Sequence, residues 1–289
     1  MITFAQRQQG EAGLCLVGTA WLGADKTGDT RGNNALDIQS GRNLTTQVAS
    51  GLNSSAIGYS NTASGFNSSA FGYTNTASGV NSSAFGYSNT ASGDYSLAIG
   101  YGNTATGDTS SSFGYLNAAS GGLSSAIGYN NSASGYYSSA IGYSNSASGN
   151  YSSAFGYGNS ASGYYSSTFG RGNTASGYYS SAFGSSNRAS GDNSSAFGSR
   201  VTTTIENTFE SGVWNSAAAR GGGYRADTTG MTQFTVADAV PTDGGAVNGS
   251  ELAGTLGRGM YSISRSGLDF ILYFNDGGTV RSLNLGTVT

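Results

Sequence analysis

Hydrophobic and polar positions follow a 14-residue unit that returns eleven times between residues 51 and 204. The unit reads G-x-x-S-S-A-F-G-Y-x-N-T-A-S; its fourth position is serine in every copy and its seventh is always phenylalanine or isoleucine. Glycine supplies the backbone conformations that tight turns require, and asparagine tolerates them next best. Because two glycines and several serines per unit disfavour a helix, the pattern predicts two short strands and two turns per unit.

A parallel β-roll, or β-solenoid, fits this period, with each coil stacked on the last at about 4.8 Å. The predicted fold class is therefore all-β, with eleven 14-residue coils over residues 51–204. A free roll end exposes unpaired backbone groups, so residues 1–50 are expected to form an N-terminal cap or attachment segment. Residues 205–289 are expected to form a β-rich globular cap domain. Its predicted strands are "TQFTV" (232–236), "MYSIS" (260–264) and a hairpin over 268–288 that turns at 275–278.

The alternation within the strand S-S-A-F places positions 4 and 6 on one side and positions 5 and 7 on the other. A short coil encloses little volume, so we expect the small residues inside and the phenylalanine or isoleucine of position 7 outside. Such an apolar stripe marks an interface, and three parallel chains on a threefold axis would bury it. The alternative is a wider monomeric solenoid that these residues fill. The predicted trimer-core residues are Ile57, Phe71, Phe85, Ile99, Phe113, Ile127, Ile141, Phe155, Phe169, Phe183 and Phe197.

The stretches "SLAIGYGNTATG" (Ser96–Gly107) and "SSAIGYNNSASG" (Ser124–Gly135) resemble the S-V-A-I-G head repeats of trimeric autotransporter adhesins. The resemblance extends from Gly51 to about Thr204. It implies a homotrimer of left-handed parallel β-rolls. The chain departs from the family at position 5, where serine usually replaces valine, and at position 7, where phenylalanine replaces isoleucine in seven copies.

The N-terminus has no basic segment followed by an apolar run, and "RSLNLGTVT" is unlike a membrane-anchor terminus. An adhesin-like rod without an export route would be released by lysis of the cell that made it. The lead-in "NALDIQSGRNLTTQVASG" (Asn34–Gly51) resembles fibre-type structural proteins of tailed phages, particularly those of cyanobacteria.

The phage resemblance implies a virion fibre that is made in the host cytoplasm and assembles with other virion proteins. Its expected role is adhesion to a host-surface glycan or outer-membrane protein. Two alternatives stay open: a purely structural spacer or capsid decoration, and the trimeric head of a bacterial surface adhesin.

Charge and composition argue against several other classes. A net charge of −3 disfavours nucleic acid, and no apolar run reaches the roughly 20 residues of a membrane helix. Histidine is absent, and Asp94, Asp108 and Asp192 are the only acids within the eleven coils, whereas calcium-binding repeats present an aspartate on a fixed period. We expect no catalytic site, no metal site and no cofactor. A hydrolase using C-terminal acids and an ice-binding Ser/Thr surface are minor alternatives.

Tyrosine occupies position 9 in eight consecutive coils, Tyr59 to Tyr157, and gathers at positions 2 and 3 of later coils. Following a turn glycine, the latter should lie on the rim of the roll. The tyrosines of all three positions either stack on the equivalent tyrosine one coil away and stiffen the rod, or contact sugars or a protein partner. The candidate ligand contacts are Tyr136, Tyr137, Tyr164, Tyr165, Tyr178 and Tyr179.

Overall fold

The computed structural model describes residues 30–216, 219–226, 232–235, 261–266, 269–276 and 279–287, with side chains described up to residue 212. In these ranges the chain is all-β, as predicted, and contains no helix. The described ranges accordingly include no helix that could cross a membrane. The chain divides into two compact units, Met1–Tyr151 and Ser152–Thr289.

The first unit alternates one longer and one very short strand per coil, after a single lead-in strand. In chain order these strands are β1 (Leu36–Gln39), β2 (Ser55–Tyr59), β3 (Thr62–Ala63), β4 (Ser69–Tyr73), β5 (Thr76–Ala77), β6 (Ser83–Tyr87), β7 (Thr90–Ala91), β8 (Leu97–Tyr101), β9 (Thr104–Ala105), β10 (Ser111–Tyr115), β11 (Ala118–Ala119), β12 (Ser125–Tyr129), β13 (Ser132–Ala133), β14 (Ser139–Tyr143) and β15 (Ser146–Ala147).

The even-numbered and odd-numbered strands form two separate parallel ladders. Each residue pairs with its counterpart one unit later, as Phe113 does with Ile127 and Ala118 with Ser132. The parallel ladder also reaches upstream of the repeats, where β1 pairs with β2. The confirmed architecture is thus a parallel β-solenoid whose coils stack in register with the sequence repeat.

The second unit contains the same alternation followed by longer strands. Its strands are β16 (Ser153–Tyr157), β17 (Ser160–Ala161), β18 (Ser167–Arg171), β19 (Thr174–Ala175), β20 (Ser181–Ser185), β21 (Arg188–Ala189), β22 (Ser195–Ser199), β23 (Thr202–Thr203), β24 (Phe209–Ser216), β25 (Ala219–Ala226), β26 (Thr232–Thr235), β27 (Tyr261–Ser266), β28 (Asp269–Asp276) and β29 (Thr279–Thr287).

After the last repeat the pairing changes direction. Strand β24 still pairs in parallel with β22, whereas β25 and β26 add antiparallel partners. Strands β27, β28 and β29 form an antiparallel sheet in which β28 ends at Asp276 and β29 begins at Thr279. The predicted strands and hairpin are therefore present. That they make a compact cap domain stays a prediction, and the predicted segment before residue 30 lies outside the described residues.

The interior of both units is filled by small residues. Alanines at positions 6 and 13 have no exposed surface, from Ala49 and Ala56 in the first unit to Ala189 and Ala196 in the second. Two coils place Ser112 or Thr168 in this column instead, both fully buried. The expected inward placement of small side chains is confirmed, and a wider solenoid filled by phenylalanine and isoleucine is excluded in the described coils.

A ladder of buried asparagines at position 11 runs beside the alanines. In a typical rung, the amide nitrogen of Asn89 lies 3.0 Å from the carbonyl oxygen of Phe85 and 2.7 Å from that of Gly100. The amide oxygen of Asn89 accepts hydrogen bonds from the backbone and side-chain N–H groups of Asn103, at 2.9 and 3.0 Å. These bonds satisfy the buried amide, which would otherwise destabilise the interior.

The ladder has a distinct partner at each end. In the first unit the Gln39 side-chain oxygen accepts a hydrogen bond from the backbone N–H of Asn61 at 2.6 Å. In the second unit the backbone N–H of Val201 donates to the side-chain oxygen of Asn187 at 2.9 Å. Valine has no amide, so the ladder ends there.

The two glycines of each unit serve different purposes. Gly100, at position 8, has φ +121°, and a Cβ there would lie 2.1 Å from the carbonyl oxygen of Gly114. Gly51, at position 1, needs no positive φ; a Cβ would lie 2.0 Å from the carbonyl oxygen of Gly65. The left-handed turn positions are instead 3 and 10, as at Asn53 and Ser60. The expectation that both glycines supply turn conformations is therefore wrong for position 1, where close approach between coils excludes a side chain.

We predict that Gly156→Ala destabilises the second unit far more than Gly158→Ala. A Cβ on Gly156 would lie 2.1 Å from the carbonyl oxygen of Gly170, whereas one on Gly158 has no neighbour within 4 Å. Gly158→Ala should lower the unfolding free energy by about 1 kcal/mol, from backbone strain alone. Gly156→Ala should lower it by about 3 kcal/mol or more, because the clash adds to the strain. Urea unfolding followed by circular dichroism measures both, and equal losses would contradict the close-approach explanation.

We also predict that Asn103→Ala costs about 3 kcal/mol or more, because several buried donors and acceptors lose their partner at about 1–3 kcal/mol each. The matched control is Asn150→Ala, which removes one exposed bond accepted from the Tyr136 backbone N–H. Its expected cost is about 1 kcal/mol or less. Thermal and urea unfolding of both variants provide the comparison; a control as destabilised as Asn103→Ala would refute the role of the ladder.

Candidate functional site

The side chains of position 7 form an outward-facing stripe in each unit, and we call these residues together the Phe/Ile column. Its members are Ile57, Phe71, Phe85, Ile99, Phe113, Ile127 and Ile141 in the first unit, and Phe155, Phe169, Phe183 and Phe197 in the second. All are partly exposed, and Ile127 and Phe169 reach 37%. The predicted outward placement is confirmed. That sister chains cover the column stays a prediction.

Ring geometry within the Phe/Ile column differs between the units. In the second unit consecutive phenylalanine rings from Phe155 to Phe197 lie 4.7–4.9 Å apart and within 9° of parallel. In the first unit Phe71 and Phe85 lie 5.1 Å apart with their planes 47° apart. The column is flanked by position 5, which is serine in every coil except at Leu97. It therefore presents apolar rings beside small hydroxyls, with little charge.

A second outward column consists of the tyrosines at position 9. From Tyr59 to Tyr143, consecutive rings lie 4.8–5.0 Å apart and within 9° of parallel. In the second unit the Arg171 guanidinium lies 5.7 Å from the ring centre of Tyr157. The stacking interpretation is thus confirmed for this column, whose rings cover one another's faces and turn their edges outward.

The six candidate tyrosines of the rim form one group in each unit. In the first unit Tyr136 meets Tyr137 edge to face at 4.6 Å, and Tyr137 stacks on Tyr151 at 5.3 Å. In the second unit Tyr164 stacks on Tyr178 at 5.1 Å and Tyr165 on Tyr179 at 4.9 Å. The two second-unit stacks also meet edge to face. All six lie in turns between strands and five of them are exposed, which confirms their predicted place on the rim, while ligand contact stays a prediction.

Burial raises the pKa of the Tyr136 and Tyr178 hydroxyls, and neighbouring phenols raise it further. Tyr137 and Tyr151 act on Tyr136; Tyr179, Tyr164 and Tyr165 act on Tyr178. A phenol is already protonated at neutral pH, so the raised pKa keeps both hydroxyls as hydrogen-bond donors to higher pH than usual.

Sequence reasoning missed a charged cluster that closes the first described coil. Asp37 pairs in register with Ala56, so its carboxylate enters the interior column. It lies 2.7 Å from the Arg42 guanidinium and 3.1 Å from that of Arg31. Gln39 donates to the same carboxylate at 3.0 Å. The signal was available: aligning "LDIQ" on "SAIG" puts an aspartate where alanine faces inward, and a buried carboxylate requires partners.

Carboxylates on the rim act as backbone acceptors. Asp94 accepts a hydrogen bond from the backbone N–H of Val80 at 2.8 Å, and Asp108 accepts one from that of Asp94 at 3.2 Å. Among residues 30–212, the part of the chain with described side chains, no three His, Cys, Asp or Glu residues are grouped to hold a metal ion.

We predict that Asp37→Ala loosens the first described coil selectively. Removing a buried partner of two arginines costs about 3–5 kcal/mol, which corresponds to hydrogen exchange at least about a hundredfold faster in β1. The control Asp94→Ala removes an exposed carboxylate and should leave β1 exchange unchanged. Hydrogen exchange with mass spectrometry measures both; unchanged protection of β1 in Asp37→Ala would show that the cluster does not hold the coil.

Comparison with protein families gives one match, to a family described as the YadA head domain repeat in two copies. Seven segments match, of which the first four overlap, and together they span just over half of the chain: 49–75, 63–89, 77–103, 91–117, 119–145, 147–173 and 175–200. No curated protein matches the chain.

Proposed function

Because the chain belongs to the YadA head domain repeat family, we propose that it forms the head of a trimeric, adhesin-like surface fibre. The observation that carries this proposal is the outward-facing, uncharged Phe/Ile column. A column with a partly exposed phenylalanine or isoleucine at every coil is an apolar surface too extensive to be left in water. Complete burial of one such side chain contributes about 1.5–3 kcal/mol to stability. Because each side chain is already partly buried against its own coil, association would add the remaining part.

A threefold axis is the arrangement that suits this column best. Three identical parallel chains in register bring the same phenylalanine or isoleucine together at each level, and every coil has such a residue at position 7. Depletion of charge is typical of the buried centre of an interface; at positions 5, 7 and 9 of the eleven coils, Arg171 is the one charged residue. The column would then supply the apolar burial that the narrow interior of the coil lacks.

We further propose a virion as the carrier of this fibre. The resemblance of Asn34–Gly51 to fibre-type proteins of tailed phages supports it. In that setting the chain is made in the host cytoplasm, joins other virion proteins and meets a glycan or outer-membrane protein on the host. The second candidate is the head of a bacterial surface adhesin, which the family match favours.

Electron microscopy with gold-labelled antibody distinguishes the two carriers. Label on fibres of purified virions supports the virion assignment, whereas label on the outside of intact bacterial cells overturns it in favour of the bacterial adhesin. Binding of the purified chain to host cells separates adhesion from a purely structural spacer, because a spacer should not bind.

We predict that Phe71→Glu with Phe85→Glu converts the trimer to monomers, since two carboxylates per chain would be buried against their copies on the threefold axis. The matched control is Thr76→Glu with Thr90→Glu, which places the same charges in the same two coils but on the short strands β5 and β7. This control should remain trimeric. Native mass spectrometry gives the masses directly. A monomeric parent chain, or a double Phe variant that stays trimeric, would overturn the proposed interface.

A further inference from the structure

Four rim tyrosines of the second unit, Tyr164, Tyr165, Tyr178 and Tyr179, form a compact aromatic surface that we call the tyrosine patch. Tyr165, Tyr178 and Tyr179 are 40%, 44% and 50% exposed. The rings of the two stacks are within 3° of parallel, and the stacks meet edge to face at 4.5–4.7 Å. The patch is therefore rigid before any ligand arrives, and binding would cost little side-chain entropy.

Position 3 is left-handed in every one of the eleven coils, so the fold requires this backbone conformation but does not require a tyrosine there. Tyr165 and Tyr179 have φ values of +56° and +53°. Other coils place asparagine at this position, as at Asn67 and Asn193, and asparagine adopts this conformation at lower cost than tyrosine. Asparagines here also bond to one another between coils, at 3.0 Å from Asn53 to Asn67. A strained aromatic residue where asparagine serves the fold points to a function.

Both tyrosine stacks end where polar residues replace tyrosine in the next coil. In the coil after Tyr178 and Tyr179, the corresponding residues are Asp192 and Asn193, both exposed, so no further ring covers the stack there. The Asp192 carboxylate accepts a hydrogen bond from the Tyr178 backbone N–H at 2.8 Å. A carboxylate offers about four acceptor sites, so capacity for a ligand remains. The Asn193 side chain donates to Asn207 at 3.1 Å and has a carbonyl acceptor of its own.

We propose that the tyrosine patch, together with Asp192 and Asn193, is a binding site for neutral pyranose-containing glycans. The apolar C–H face of a pyranose fits against an aromatic ring, and its hydroxyls fit the phenol, carboxylate and amide groups beside it. Asp192 is the charged group of the site and its negative charge repels anionic sugars. This inference rests on the proposed function as a surface adhesin head and names the class of receptor for it.

The test uses the full chain on an array of purified bacterial polysaccharides and eukaryotic glycans, neutral and acidic. The disabling variant replaces all four tyrosines by asparagine: Tyr164→Asn, Tyr165→Asn, Tyr178→Asn and Tyr179→Asn. Asparagine already occurs at the corresponding positions of other coils, as at Asn150 and Asn193, so the roll should keep its fold and its oligomeric mass.

The matched control is Tyr95→Asn, which makes the same change at an exposed rim tyrosine of the first unit; asparagine occupies the corresponding position one coil earlier, at Asn81. The parent chain and the control should bind neutral glycans, and the four-tyrosine variant should bind at least about tenfold more weakly. Equal binding by the four-tyrosine variant, or a preference for acidic glycans, overturns the inference.

Binding of the parent chain to host cells keeps this inference apart from the proposed function. A chain that binds cells but no arrayed glycan overturns the glycan site and leaves the adhesin role standing. A chain that binds neither overturns both. Loss of cell binding after periodate treatment of the cells, which cleaves sugar diols, supports the glycan site.

Discussion

The spacing between consecutive coils governs the rest of this structure. Backbone hydrogen bonds between parallel strands set that spacing near 4.8 Å, and every turn must fit within it. At Gly51 and Gly100 a single added Cβ would lie 2.0–2.1 Å from the carbonyl oxygen of the next coil. The same spacing lets an asparagine amide reach both its own coil and the next, so that Asn89 bonds to Phe85 and Gly100 together. Both features recur with the period because the spacing does.

This constraint moves the large apolar side chains outward. The narrow interior accepts alanine, serine and the asparagine ladder, and the largest fully buried side chains are Val48, Val201 and the asparagines. A roll of this kind gains much of its stability from backbone pairing and satisfied amides, and comparatively little from an apolar core. Phenylalanine and isoleucine therefore lie on the outside of the roll, where the proposed trimer would bury them.

Residues that hold the backbone repeat, whereas residues that face solvent on the rim vary. Positions 2 and 3 change along the chain from Leu52 and Asn53 to Tyr164 and Tyr165 without disturbing the strands. The rim can therefore acquire binding chemistry at small cost to the fold. The cost arises at position 3, because the left-handed backbone conformation there is less favourable for tyrosine than for asparagine. In the proposed adhesin, adhesive specificity would belong to the rim and assembly to the strand face.

Sequence by itself determined the period, the strand positions and the inward side of each strand, because repetition places one residue environment in many coils and alternation fixes side-chain direction within a strand. It also pointed to the Phe/Ile column and to the rim tyrosines. Only the tertiary structure decided what happens in the turns: that Gly51 is required by close approach, that the asparagines form a ladder, and that rim rings meet both face to face and edge to face. The tertiary structure also decided the pairing of Asp37 with Arg31 and Arg42, because these residues occur once and outside the repeat. Such contacts depend on where separate coils place their side chains in space, and no local pattern encodes that.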